Sequence, residues 1–174
     1  MTGTDRPKGD NMKAEQIRKA APEDLPEILR IYSRARAFMA AQGNGGQWGN
    51  SYPEEALLKS DIEKGNLYVL ETESGLHGVF AFILGEDPTY GVIEDGQWLS
   101  GDPYGTIHRI AGDGSVKGLL GKAVAYAEGV ISHLRIDTHE NNKVMRRLIP
   151  RYGFSRRGII HLENGSPRIA YEKL

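Results

Sequence analysis

Two stretches in the middle of the chain, NLYVLET and LHGVFAFIL, restrict the possible folds most. Both are rich in β-branched and aromatic residues, and Glu73-Ser74-Gly75 separates them, which predicts an antiparallel hairpin. A second hairpin is predicted near the end, where GIIHL and RIAYEK flank Asn164-Gly165. Around these lie helical patterns. Pro22, Glu23 and Asp24 offer helix-start chemistry. Leu25, Ile28, Leu29, Tyr32, Ala35 and Met39 follow at helical spacing as far as Gly43. Ser51 and Glu54 resemble a capping box for a second helix carrying Leu57, Leu58 and Ile62. Strands are expected at Gln16 to Lys19, GTIHRIA and HLRIDTH, with a short one at Val92-Ile93. Helices are expected with Val116, Leu120, Ala123, Val124 and Ala127 on one face, and from Asn142 to Ile149, where Pro150 ends or kinks the turn.

The order β-α-α-β-β-β-α-β-α-β-β specifies an α/β chain of the α+β kind. Its sheet is mixed, mainly antiparallel and flanked by helices. A doubly wound dinucleotide fold would alternate strand and helix throughout, so it does not suit this order. The 174 residues suit one domain, expected over 13–174, behind a polar, aperiodic stretch at 1–12 that is expected to be a flexible leader. A formal net charge of −1 implies no nucleic-acid partner and no membrane surface. No apolar run approaches the roughly 20 residues needed to span a bilayer. The chain has no cysteine, which removes thiolate nucleophiles and cysteine-based metal sites. A cytoplasmic location is the default expectation.

The glycines of AGDGSVKGLLGKAVAYAEG suggest a phosphate loop, but the familiar spacings fail. Gly121-Lys122 has Val116 where a Walker loop needs its first glycine, and Ala123 where it needs a hydroxyl. Gly112 and Gly114 begin a dinucleotide fingerprint that Lys117 breaks. A glycine turn between strand and helix still aims free N–H groups at a positive helix end, which favours an anion. An ordinary strand–helix connection accounts for the same glycines.

Two motifs, IHRIAGDGSVKGLLGKAVAYAE and IDTHENNKVMRRLIPRYGF, resemble the GNAT superfamily of N-acetyltransferases, and the resemblance runs over about residues 16 to 173. QWGNSYP, DPTY and RIDTHENN are similar to a poorly characterised small-molecule subgroup. The resemblance implies a GNAT-like acyl-CoA N-acyltransferase fold. It also implies acetyl-CoA as cosubstrate, no metal, and direct transfer in a ternary complex to a primary amine of a small molecule. The pyrophosphate would meet the amides of Ser115, Val116, Lys117, Gly118, Leu119 and Leu120, and the pantetheine arm would lie beside Ile110 and Ala111. Asn142 sits where the family's asparagine contacts the cofactor, though a helix cap explains it too. A homodimer is compatible with this picture. Three positions depart from the family. Ser115 replaces Arg or Gln, Leu120 puts bulk at a small position near the phosphates, and Ile149 replaces a tyrosine that protonates the leaving thiolate. A catalytically weak or inactive acyl-CoA-binding module with a regulatory role is therefore the alternative.

Transfer to an amine needs a base. Asp137, on HLRIDTH, is the first candidate; a structural role toward loop amides is the other reading. His108 is the second, since histidine accepts a proton near neutral pH; it also suits a half-buried strand face. Glu94 could receive a cationic substrate, or simply be solvated. Trp48, Tyr90 and Trp98 stand in polar, glycine-rich loops, where they form either a substrate-binding wall or a plug for the sheet's open end.

Overall fold

A computed structural model describes residues 15–174; the leader expected at 1–12 lies outside the described residues. The strands are β1 (Gln16–Lys19), β2 (Leu67–Thr72), β3 (Gly75–Leu84), β4 (Gly105–Gly112), β5 (Leu134–Thr138), β6 (Ser155–His161) and β7 (Pro167–Lys173). The helices are α1 (Leu25–Ala41), α2 (Glu55–Glu63), α3 (Leu119–Glu128) and α4 (Lys143–Leu148). The sheet runs β1-β2-β3-β4-β5-β7-β6 and is antiparallel except between β4 and β5. It is the mixed, mainly antiparallel sheet that the two hairpins require.

Alternation along the strands sorts the core into two layers. Leu67 and Val69 face one way and meet Ile28, Ile31, Tyr32 and Leu58 of α1 and α2. Tyr68 faces the other way and joins Phe80, Ile107 and Ile136 under Leu120, Ala123, Val124 and Ala127 of α3. On the α1 side, the half of the sheet beyond β5 is covered by the 85–104 loop, which packs Tyr90, Trp98 and Tyr104 onto Ile160 and Ala170. Among the described residues no helix is long and apolar enough to cross a membrane.

Several local expectations shift. Ser51 and Glu54 form no capping box, because α2 begins at Glu55 and puts Glu54 itself in the N-cap place without a side-chain bond. Val116 precedes α3 instead of lying on its face. The Val92-Ile93 strand is reduced to a bridge between Glu94 and Ile159.

Candidate active site

β4 changes character along its length. It pairs with β5 only at Gly105–Leu134 and Thr106–Arg135, and the two strands then part. On its β3 side, Ala81 pairs with His108 and Val79 with Ala111, so Arg109 and Ile110 together oppose Phe80. This extra residue is a β-bulge, with Arg109 at φ 51. It reverses the alternation, so Ile110 packs toward the α3 layer while Ala111 joins the α1 layer. Two contacts pin it: the Tyr32 hydroxyl donates to the Arg109 carbonyl at 2.7 Å, and the Arg109 guanidinium donates to Asp61 at 2.6 Å.

The glycine turn follows β4 directly. Asp113 organises it, accepting the Ser115 N–H at 2.9 Å while His77 Nδ1 lies 2.9 Å from its other oxygen. Burial pushes the Asp113 carboxyl up, but hydrogen bonds from His77 and Ser115 outweigh it and hold the group down at about 2. The Ser115 amide is thus already engaged, which removes it from the expected phosphate donors. The amides of Val116, Lys117, Gly118, Leu119 and Leu120 have no acceptor among the described residues. Gly118 opens α3 at φ 73, and a Cβ there would meet nothing within 4 Å. Leu120 is 4% exposed and points into the α3 layer, so its bulk does not narrow the approach to the turn. Leu119 lies over Gly78, where a Cβ would sit 2.6 Å from its Cδ1.

Where β4 leaves β5 there is a cleft of about 740 Å³. Its walls include Trp48, Tyr52, His108, Asp137 and Arg168, and Ile110 reaches it as well. His108 Nε2 lies 2.9 Å from the Asp87 carboxylate, which also accepts from the Thr89 hydroxyl and amide. Burial raises the Asp87 carboxyl, yet hydrogen bonds from His108 and Thr89 bring it to about 2. Asp87 is therefore ionised and can only accept. Nε2 must carry a hydrogen, so in the neutral ring the lone pair falls on Nδ1. Asp137 accepts from the Tyr90 hydroxyl at 2.7 Å.

The remaining expected residues divide. Trp48 lines the cleft and meets Tyr32 edge-on at 5.7 Å between ring centroids. Tyr90 is fully buried, and burial raises its hydroxyl well above the ordinary tyrosine value. Trp98 donates to the Tyr90 carbonyl at 2.8 Å and carries the Arg135 guanidinium on its face. Neither ring lines the cleft. Both belong to the wedge that covers the sheet. Glu94 does not line the cleft; its backbone bridges to β6, and its side chain is 61% exposed. The Asn142 side chain accepts from the Met145 N–H and donates to Gln47, so it caps α4 and ties it to the α1–α2 loop. Each end of that amide makes one hydrogen bond, and one N–H and one lone pair remain.

The fold as a whole matches a solved GNAT-family acetyltransferase from Streptococcus agalactiae 2603, with TM-score 0.80 and 31% identity over 94% of this chain and 96% of that one. The chain belongs to the GNAT family of acetyltransferases. A GNAT acetyltransferase from Listeria monocytogenes 4b F2365 matches with TM-score 0.68 and 25% identity, over 91% and 94% of the two chains. A GNAT phosphinothricin acetyltransferase from Sinorhizobium meliloti, solved in complex with AcCoA, shares the fold at TM-score 0.59 and 15% identity, over 91% and 87%. No family model matches the chain, and no curated protein does.

Within this GNAT frame, Ile149 is fully buried in the α3 layer. Its position is used for packing, and no hydroxyl is available there. Sequence reasoning missed Asp87, Gln47 and Arg168. Asp87 opens the word DPTY, and its turn chemistry was a second signal, since an aspartate before proline and threonine caps such a turn. Gln47 opens the word QWGNSYP, but neither it nor Arg168 showed its role locally, because only the tertiary fold brings residues 47, 142 and 168 together.

Proposed function

We propose that the protein moves an acetyl group from acetyl-CoA to a primary amine of a small molecule by direct transfer in a ternary complex. The observation that carries this is the His108–Asp87 pair on the wall of the cleft where β4 leaves β5. The residues present fit the cosubstrate. The amides of Val116 to Leu120 are free for a pyrophosphate, and the β5-facing edge of β4 beyond Thr106 is free to pair with an extended arm. When bound, acetyl-CoA supplies an activated acetyl thioester. The Sinorhizobium enzyme's complex with AcCoA agrees with this assignment.

The chain's own groups then have distinct tasks. The second oxygen of Asp137 attracts the cationic amine, and His108 Nδ1 takes one of its protons. Asp87 holds the imidazole in the tautomer that makes this possible. The neutral nitrogen bonds to the acetyl carbon, the carbon–sulfur bond breaks, and the second amine proton passes to the departing sulfur. This order places His108 ahead of Asp137 as base, the reverse of the ranking from sequence, because Asp137 already receives the Tyr90 hydroxyl.

Coenzyme A is expected to raise the melting temperature, and ATP with magnesium is not. Equal protection by both would remove the acetyl-CoA assignment. His108→Gln is expected to lower thiol release by about 100-fold or more while keeping that protection. Full turnover in this variant would return the role to Asp137. Ile149 favours the second reading, a binding module without turnover. Protection by coenzyme A with no thiol release from any amine would support it.

A further inference from the structure

Two arginines of the sheet are buried, and they are treated differently. Arg135, 4% exposed, donates to the buried Glu172 carboxylate at 3.1 Å. Arg168, 6% exposed, has no carboxylate within 4.0 Å among the described residues. Burying a guanidinium without a carboxylate bonded to it is costly: burial lowers its proton affinity below the ordinary arginine value, and the more distant charge of Asp137 offsets only part of that.

The direction of the side chain follows from β7. Ile169 and Tyr171 face the α3 layer, so Arg168 and Ala170 face the opposite side, where the cleft lies. Its Nη1 donates to the Ser166 hydroxyl at 2.6 Å and the Pro167 carbonyl at 2.8 Å, and its Nη2 donates to the Gln47 carbonyl at 3.3 Å. Nη1 has no hydrogen left. The Nε hydrogen and one Nη2 hydrogen have no acceptor among the described residues. The Nε hydrogen and the Nη2 hydrogen beside it form the edge of the guanidinium plane that grips a carboxylate with two parallel hydrogen bonds, and the 3.3 Å contact to Gln47 is the one bond made from Nη2. The three contacts already made hold that edge in place.

We propose that Arg168 binds a carboxylate of the acceptor, so the substrates are amines that also carry an acid group. The inference rests on the cleft being the acceptor site of the acetyl transfer. Asp137 and His108 serve the amine end of such a molecule, and Arg168 serves the acid end from β7, one strand from Asp137 on β5 and two from His108 on β4. The Arg168 charge also disfavours simple cationic amines, which bring no anion to offset it.

The test compares matched probes: α- and ω-amino acids against their carboxamides, with the coenzyme A-bound protein. The acids are expected to raise the melting temperature and the amides are not. In thiol-release assays, kcat/KM is expected to favour the acid over its amide by at least about tenfold. Arg168→Lys keeps the charge but lacks the two-pronged edge, and its acid preference is expected to collapse toward one with KM for acetyl-CoA unchanged. Amides that protect as well as acids, or no protection by any acid, would overturn the inference, and neither result needs a variant that folds. A rise in KM for acetyl-CoA alone in Arg168→Lys would overturn it too. Acid-selective protection without thiol release from any probe would sink the transfer activity and leave the carboxylate site standing.

Discussion

Gly118 holds a backbone angle of φ 73 at the first turn of α3, where an L side chain costs roughly 1–2 kcal/mol. Two substitutions there are expected to rank in opposite orders for stability and for binding. Gly118→Ala pays the full backbone strain, yet its methyl meets nothing within 4 Å, so coenzyme A binding falls little. Gly118→Asp pays less, because aspartate tolerates the left-handed region and its carboxylate suits the positive helix end. The same carboxylate competes with phosphate for the free amides, so this variant binds coenzyme A more weakly than the alanine variant. Melting curves beside titration calorimetry check both orders. Parent-like binding by Gly118→Asp would reduce the turn to a strand–helix connection.

At the scale of elements, what could be read from the chain was what repeats locally. The hairpins, the α1 stripe from Leu25 to Met39 and the glycine turn all follow from period and turn chemistry. The site was read only in part, because its decisive pairs join distant residues: His108 with Asp87, Asp137 with Tyr90, Asn142 with Gln47. The 85–104 loop illustrates the reason. It has no period, yet it supplies both Asp87 and Tyr90, and it is fixed by the bridge of Glu94 to Ile159 and by a close approach to β6 at Gly96. A Cβ on Gly96 would collide with the backbone carbonyl of Arg157, which cannot swing aside as a side chain can. Gly96→Ala is therefore expected to lift the loop and cost about 1–3 kcal/mol. Turnover should fall with it, since Asp87 and Tyr90 move away from His108 and Asp137. Denaturant unfolding together with thiol release measures both. A variant with parent stability and lowered turnover would mean that the loop is not anchored there.

Across the whole molecule, two depressed carboxylates set the response to acid. Asp87 joins the 85–104 loop to the middle of β4, and Asp113 joins β3 to the turn just past the end of β4, with Arg30 of α1 at 3.5 Å. Their side chains are only 19% and 3% exposed. Each titrates at about 2 in the fold, against 3.8 when unperturbed. The folded chain therefore binds these protons less readily than the unfolded chain. Their stabilisation is complete above about pH 4, declines as the pH falls, and is gone below about pH 2. At roughly 1.4 kcal/mol per pKa unit, each contributes on the order of 2 kcal/mol. Asp24, held below its ordinary value mainly by its hydrogen bond from Arg18, adds to the same slope. Urea unfolding at pH 5 and at pH 2 is expected to show a loss on the order of 4 kcal/mol from the first two groups. Replacing both, as Asp87→Asn with Asp113→Asn, should lower stability at pH 5 and flatten the profile to the part that Asp24 leaves. The flattening separates the two carboxylates from a general charge effect, because self-repulsion of an acid-charged chain would survive the double substitution. A double variant as acid-sensitive as the parent would place the acid response outside these two latches.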